Sequence, residues 1–169
     1  MQKAFGYPEA AVQRRLRAMR RRCPEWEVSA APGALGRVPA KVDAKDRHVA
    51  AASLTLRQYV EEEPDQSECD VYLVTDNVRH FAKGDMGKLG VKVVKAGTFL
   101  DTVYLAHPAE TERAVQTAVS DLKDPPYTRA ELLAALNGHG AHQLVEGLSA
   151  RWKVAPTKRV AANVRGGKA

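Results

Sequence analysis

The stretch Val42-Asp43-Ala44-Lys45-Asp46-Arg47-His48-Val49-Ala50-Ala51-Ala52 decides how the rest of the chain is read. Two acidic side chains precede a run free of proline and glycine, rich in the strong helix former alanine. The pattern predicts a helix over 46–59 with Val49, Ala52, Leu56 and Tyr59 or Val60 on its buried side, lying against a sheet. Asp43 or Asp46 at its start suits a helix cap, in which a carboxylate accepts backbone N–H bonds. A metal-binding carboxylate is the other role open to either residue.

Working downstream, 61–68 is an acidic, proline-containing connector. It leads to the apolar run Asp70-Val71-Tyr72-Leu73-Val74-Thr75, which predicts a strand. Val74-Thr75-Asp76-Asn77-Val78-Arg79-His80-Phe81 then places Asp76 and Asn77 at the carboxyl end of that strand, where open α/β sheets build their sites. Thr-Asp-Asn is also ordinary turn chemistry. A glycine-punctuated segment, 84–90, separates this from a second short strand over 91–94. Helix, strand, turn and strand in this order predict part of a parallel α/β sheet.

Upstream, Ala11, Val12, Leu16, Met19 and Cys23 recur at helical spacing until Pro24. The opposite face carries Arg14, Arg15, Arg17, Arg20, Arg21 and Arg22, a stripe suited either to tracking phosphates or to simple solvation. Residues 30–39 form an Ala-Gly-Pro-rich loop leading into the short segment Val38 to Val42. Beyond Gly97 the chain turns helical: 98–105, 108–122, 128–136 and 141–152 are the predicted helices. Thr128 and Glu131 have the spacing of a capping box, and Leu144, Val145 and Leu148 point inward. The tail from Ala155 combines proline, glycine and basic residues with little periodicity and reads as a mobile arm.

The 169 residues carry a formal net charge of +6, with 44% hydrophobic and 27% charged residues. Such a composition belongs to a folded globular chain rather than a disordered one. The longest apolar runs fall far short of the roughly 20 residues that span a bilayer, and no signal-peptide pattern opens the chain, so a cytoplasmic location is expected. Cys23 and Cys69 are too few for a disulfide framework or a metal knuckle and read as buried or half-buried thiols. The positive charge suits a polyanionic partner such as RNA.

Taken in order, the two site strings and the C-terminal pattern resemble the PIN-domain ribonucleases of the VapC toxin type. Asp46 through Ala52 matches that family's Asp at the head of an alanine-rich helix. Thr75, Asn77 and Phe81 match its Thr-x-Asn turn leading to an aromatic residue. Val-Asp-x-Lys-Asp-Arg-His-Val is similar to one bacterial subgroup with a helical C-terminal extension, and Leu122-Lys123-Asp124-Pro125-Pro126 with Thr128, Glu131, Leu132 and Leu133 looks like that extension.

The resemblance implies an α/β, PIN-like three-layer fold with a parallel sheet over 1–104, a helical extension over 105–154 and a basic tail over 155–169. It implies a metal-dependent endoribonuclease, the toxin of a type II toxin–antitoxin pair, with Mg²⁺ or Mn²⁺ as cofactor. RNA, tRNA among the candidates, and an antitoxin are the implied partners, and a homodimer is compatible with them. Asp46 corresponds to the third acidic ligand and Asn77 to the place of the fourth, with Asp76 or Asp43 supplementing them through a metal-bound water. Arg47 or Arg79 would steady phosphate, and Arg14, Arg17 and Arg21 would extend the RNA surface.

Two departures accompany the resemblance. The family's opening strand and first two acids have no counterpart here and would precede Met1, so the chain is expected to begin inside the domain and to show no Mg²⁺-dependent cleavage by itself. Position 80 is His where the family commonly has Asp or Glu. A catalytically inactive PIN remnant that binds RNA or an antitoxin is the alternative.

Overall fold

The computed structural model describes residues 9–22, 27–63, 65, 69–121 and 127–157. It is an α/β chain in which β1 (Val71–Val74) and β2 (Val91–Val94) form a two-stranded parallel sheet. The chain divides into two compact units, one of residues 1–71 and 80–92, the other of 72–79 and 93–169. The boundary expected between 104 and 105 falls within a helix, α5 below.

The first unit contains α1 (Glu9–Arg22), α2 (Ala34–Arg37), a 3₁₀ turn (Ala44–Asp46), α3 (Arg47–Glu62) and α4 (Lys83–Lys88). Helix α3 outruns its predicted end and stops only before Pro64, which disfavours helical backbone in the residue ahead of it. The Glu63 N–H closes the last turn on the Tyr59 carbonyl.

The buried face of α3 differs from expectation. Ala50, Ala51, Leu54, Thr55 and Val60 are buried, whereas Val49, Leu56 and Tyr59 are exposed. Alanines permit close approach, and the Thr55 hydroxyl donates to the Ala51 carbonyl while accepting the Ala31 N–H, so its burial leaves no polar group unmade. The main contacts of α3 run to α2 and to the 3₁₀ turn rather than to a sheet. Val38 and Val42 are buried in turns, not in a strand, and the Val42 N–H donates to the Pro39 carbonyl.

Cys69 is exposed, contrary to expectation, because it lies in the connector ahead of β1 rather than on a packed face. Cys23, the connector around 64–68 apart from residue 65, Leu122 to Pro126 and the tail beyond Thr157 lie outside the described residues. The start of the tail is docked, since the Thr157 N–H donates to the Ala130 carbonyl.

The second unit contains α5 (Ala96–Ala106), α6 (Pro108–Asp121), α7 (Arg129–Gly138) and α8 (His142–Trp152). Both bonds of the predicted capping box between Thr128 and Glu131 are present at the start of α7. Leu133, Ala141, Leu144, Val145 and Leu148 form its buried core, flanked by Leu100, Tyr104, Val115, Leu136, Trp152 and Val154. Gly97 lets α5 press against the backbone of the turn at 139–141, and Gly147 faces the Tyr104 hydroxyl; a β-carbon at either place would collide. Trp152 donates its indole N–H to Glu112 at 3.0 Å and stacks under Arg129. Among the described residues, no helix is long and apolar enough to cross a membrane.

Candidate metal centre

In the first unit the chain folds so that Asp43, Asp46 and His80 meet. Asp43 caps the 3₁₀ turn through its side chain, Oδ1 accepting the Lys45 N–H at 3.3 Å. Its backbone N–H donates to the His80 carbonyl at 2.9 Å, and its own carbonyl accepts the Asp46 N–H at 2.9 Å. These bonds tie the turn to the short 3₁₀ segment Val78–Phe81 at His80, whose neighbour Phe81 is buried and anchors it.

Of the two acids, only Asp43 caps. Asp46 occupies the N-cap position of α3 yet makes no side-chain cap bond. Its Oδ2 lies instead 3.2 Å from His80 Nδ1, and Asp43 Oδ2 lies 3.5 Å from the same nitrogen. One ligand atom from each of the three residues falls within 4.8 Å of the others. The side chains are 40%, 21% and 37% exposed for Asp43, Asp46 and His80, which leaves the cluster open to an ion and to a solvent-borne substrate.

Arg47 has a different place from the phosphate contact expected of it. Nη2 donates to the carbonyls of Leu35 at 3.0 Å and Val38 at 3.2 Å, and Nη1 to that of Pro39 at 3.2 Å. The guanidinium therefore fastens the loop that leads into Asp43, one planar fork meeting several carbonyls.

Arg14, Arg17 and Arg21 are exposed on α1, opposite the half-buried Val12 and Leu16. Asp76, Asn77 and Arg79 are exposed and belong to the second unit. The Asn77 N–H donates to the Thr75 hydroxyl at 3.1 Å, the turn chemistry its sequence also allowed. Among the described residues, the cluster of acidic and imidazole groups contains Asp43 and Asp46 but not Asp76.

Two carboxylates held near each other favour a cation between them, and two oxygens with one imidazole nitrogen make a donor set that a divalent ion can accept. Sequence reasoning found both acids but counted His80 only as a departure. The signal was its position, next to the aromatic residue, where the resembled family commonly carries an acid.

Residues 96–150 match the family model described as the VapC50 C-terminal domain. The match covers the helices α5, α7 and most of α8, together with α6 between them, about a third of the chain. It supports a VapC-like toxin. Neither the curated proteins nor the solved structures contain a match.

Proposed function

We propose that this protein is a metal-dependent endoribonuclease, the toxin of a type II toxin–antitoxin pair, using the site built on Asp46. One observation carries the proposal: Asp46 heads a helix without capping it, and its carboxylate instead faces Asp43 and His80. A carboxylate released from its usual structural duty beside two further donors is what metal-assisted hydrolysis requires. The match over 96–150 supports the toxin class.

A divalent ion bound here would polarise a phosphate oxygen and activate a water. Asp43 and Asp46 would hold it, Asp43 oriented through its second oxygen by the Lys45 N–H. His80, fixed through its carbonyl by Asp43, completes the donor set. Arg47 keeps the approach to Asp43 in register. The exposed arginines of α1 supply attraction for the RNA backbone. Roles for Asp76, Asn77 and Arg79 rest on the resemblance alone.

The decisive experiment incubates structured RNA with the 169-residue chain and Mn²⁺, beside Asp46→Ala and Asp46→Asn. Cleavage by the parent chain with Mn²⁺, against the silence that the missing opening strand and acids would impose, and its loss in both variants are the expected results if Asp43, Asp46 and His80 suffice, with stability changed by no more than about 1–2 kcal/mol, the range for a helix-start substitution. Cleavage that survives Asp46→Ala, or a parent chain that binds the ion and cuts no RNA, overturns the proposal.

A further inference from the structure

The positive charge of the chain is gathered at one end. Residues 127–169 carry seven lysines and arginines against two acids, whereas residues 1–126 are nearly balanced, with nineteen against eighteen. Such an asymmetry points to a polyanionic partner at the basic end. We infer that Arg129, Lys153 and the basic chain that follows them form a binding surface for the phosphodiester backbone of RNA. The ribonuclease reading sets RNA against Asp46 and the arginines of α1, all in the first unit, whereas this surface lies in the second and stands on binding alone. Only the choice of RNA among phosphate polymers rests on that reading.

The described part of the surface forms where the end of α8 meets the start of α7. The Arg129 guanidinium lies over the Trp152 ring, 5.1 Å from its centroid. Glu112 holds that ring by its edge, accepting the indole N–H at 3.0 Å with one oxygen and the Arg151 Nε at 2.9 Å with the other. With its side chain only 13% exposed, this carboxylate is largely withdrawn from water, which strengthens both bonds and fixes the ring beneath Arg129. Lys153 follows Trp152 directly. The Thr157 N–H donates to the carbonyl of Ala130, next to Arg129, and Lys158 and Arg159 come at once after it in the sequence.

The way Arg129 is held leaves it available. A carboxylate neutralises a guanidinium and occupies its N–H groups, as Glu112 does for Arg151, whereas an aromatic face orients the group and leaves the donors in its plane open. Arg47 and Arg57, by contrast, commit theirs to backbone carbonyls and to Glu61. Among the described residues, no acceptor is set against Arg129 or Lys153, and Glu131, the acid beside Arg129 in sequence, is engaged in the capping box. An exposed, flat guanidinium with open donors suits bidentate contact with a phosphate.

Lys153 is an independent sign. It ends α8 in the left-handed region, with φ 54° and ψ 43°, where glycine is at ease and a side chain is strained. Stopping the helix would be better served by glycine. Lysine puts an exposed ammonium on the turn beside Trp152 instead, and a residue kept in a strained conformation marks a functional place more than a folding one.

The test follows a fluorescent single-stranded RNA by anisotropy with the full 169-residue chain in EDTA, so that binding is read without cleavage. At about 0.1 M salt, one phosphate contact with a log–log slope of about 0.7 contributes about fivefold in affinity. Lys153→Gly and Arg129→Gln should each weaken binding by about that factor and together by about twenty-fivefold, with the salt slope reduced by about 1.4. Lys153→Gly should meanwhile melt higher than the parent chain, a gain in stability with a loss in binding that a merely structural lysine would not give. Parental affinity and slope in the double variant, or tighter binding to vesicles of phosphatidylserine and phosphatidylcholine than to RNA, overturns the inference. Should Arg129→Gln fail to fold, Lys153→Gly decides alone. RNA binding without cleavage in Mn²⁺ leaves this inference standing and removes the ribonuclease reading. Cleavage by the parent chain with undiminished RNA affinity in the double variant does the reverse.

Discussion

Asp101 Oδ1 accepts the backbone N–H of Leu144 at 3.0 Å, so an acid in the middle of α5 caps the start of α8. The residue in the N-cap position of α8, Ala141, has no side chain able to do so. Asp101→Ala should therefore lower stability by about 1–2 kcal/mol, since it strips a helix of its cap and leaves an N–H unmade in a partly buried place. Asp101→Asn, which retains an accepting oxygen, should lose less. Chemical denaturation of the two variants against the parent chain checks the order; equal losses would show that the capping bond is not what Asp101 contributes.

Arg47→Lys is expected to be nearly as damaging as Arg47→Ala. An ammonium cannot present the planar fork that reaches the carbonyls of Leu35, Val38 and Pro39 together. A loss of about 1–3 kcal/mol is expected for either variant, and amide exchange should quicken through 35–43. A lysine variant melting with the parent chain would contradict this.

Two glycines should respond in opposite senses to alanine. Gly97→Ala places a β-carbon into the backbone of His139, Gly140 and Ala141, which cannot step aside, and should cost about 3 kcal/mol or prevent folding. Gly84→Ala, within α4 and facing open space, should stabilise by up to about 1 kcal/mol. Melting temperatures of the pair settle both signs.

RNA binding, measured by anisotropy, should fall steeply between about 50 and 200 mM salt. Replacing Arg14, Arg17 and Arg21 together by alanine should flatten that dependence, by a log–log slope of roughly 0.7 for each phosphate of single-stranded RNA that is no longer neutralised. A slope unaffected by the triple change would reduce the α1 stripe to a solvated face.

What the sequence disclosed follows from how local each feature is. The capping box of Thr128 and Glu131 and the inward Leu144, Val145 and Leu148 depend on neighbours within one or two turns, and the structure reproduces them. The face of α3 did not follow from periodicity, because Ala50 and Ala51 carry little hydrophobic signal although their small size selects the buried side. Val38 and Val42 bound a short segment to which the sequence assigned no conformation, and turns bury both. Asp46 stood out through its place at a helix head. His80 stood out only as a departure beside Phe81, since Asp43 and Asp46, the groups it meets, are distant in sequence.

The interleaving of the two units bears on the order in which the molecule can be assembled during synthesis. Residues 72–79 belong to the second unit, while 80–92 return to the first. Asp46 therefore leaves the ribosome 34 residues ahead of the imidazole that faces it. The carboxylate pair spends that interval without its third member. A nascent chain halted before His80 emerges should hold Asp43 and Asp46 without the imidazole that faces them, however well α3 has already formed. The cluster would thus be a late product of translation, completed only when the chain doubles back, and not a nucleus around which the first unit folds.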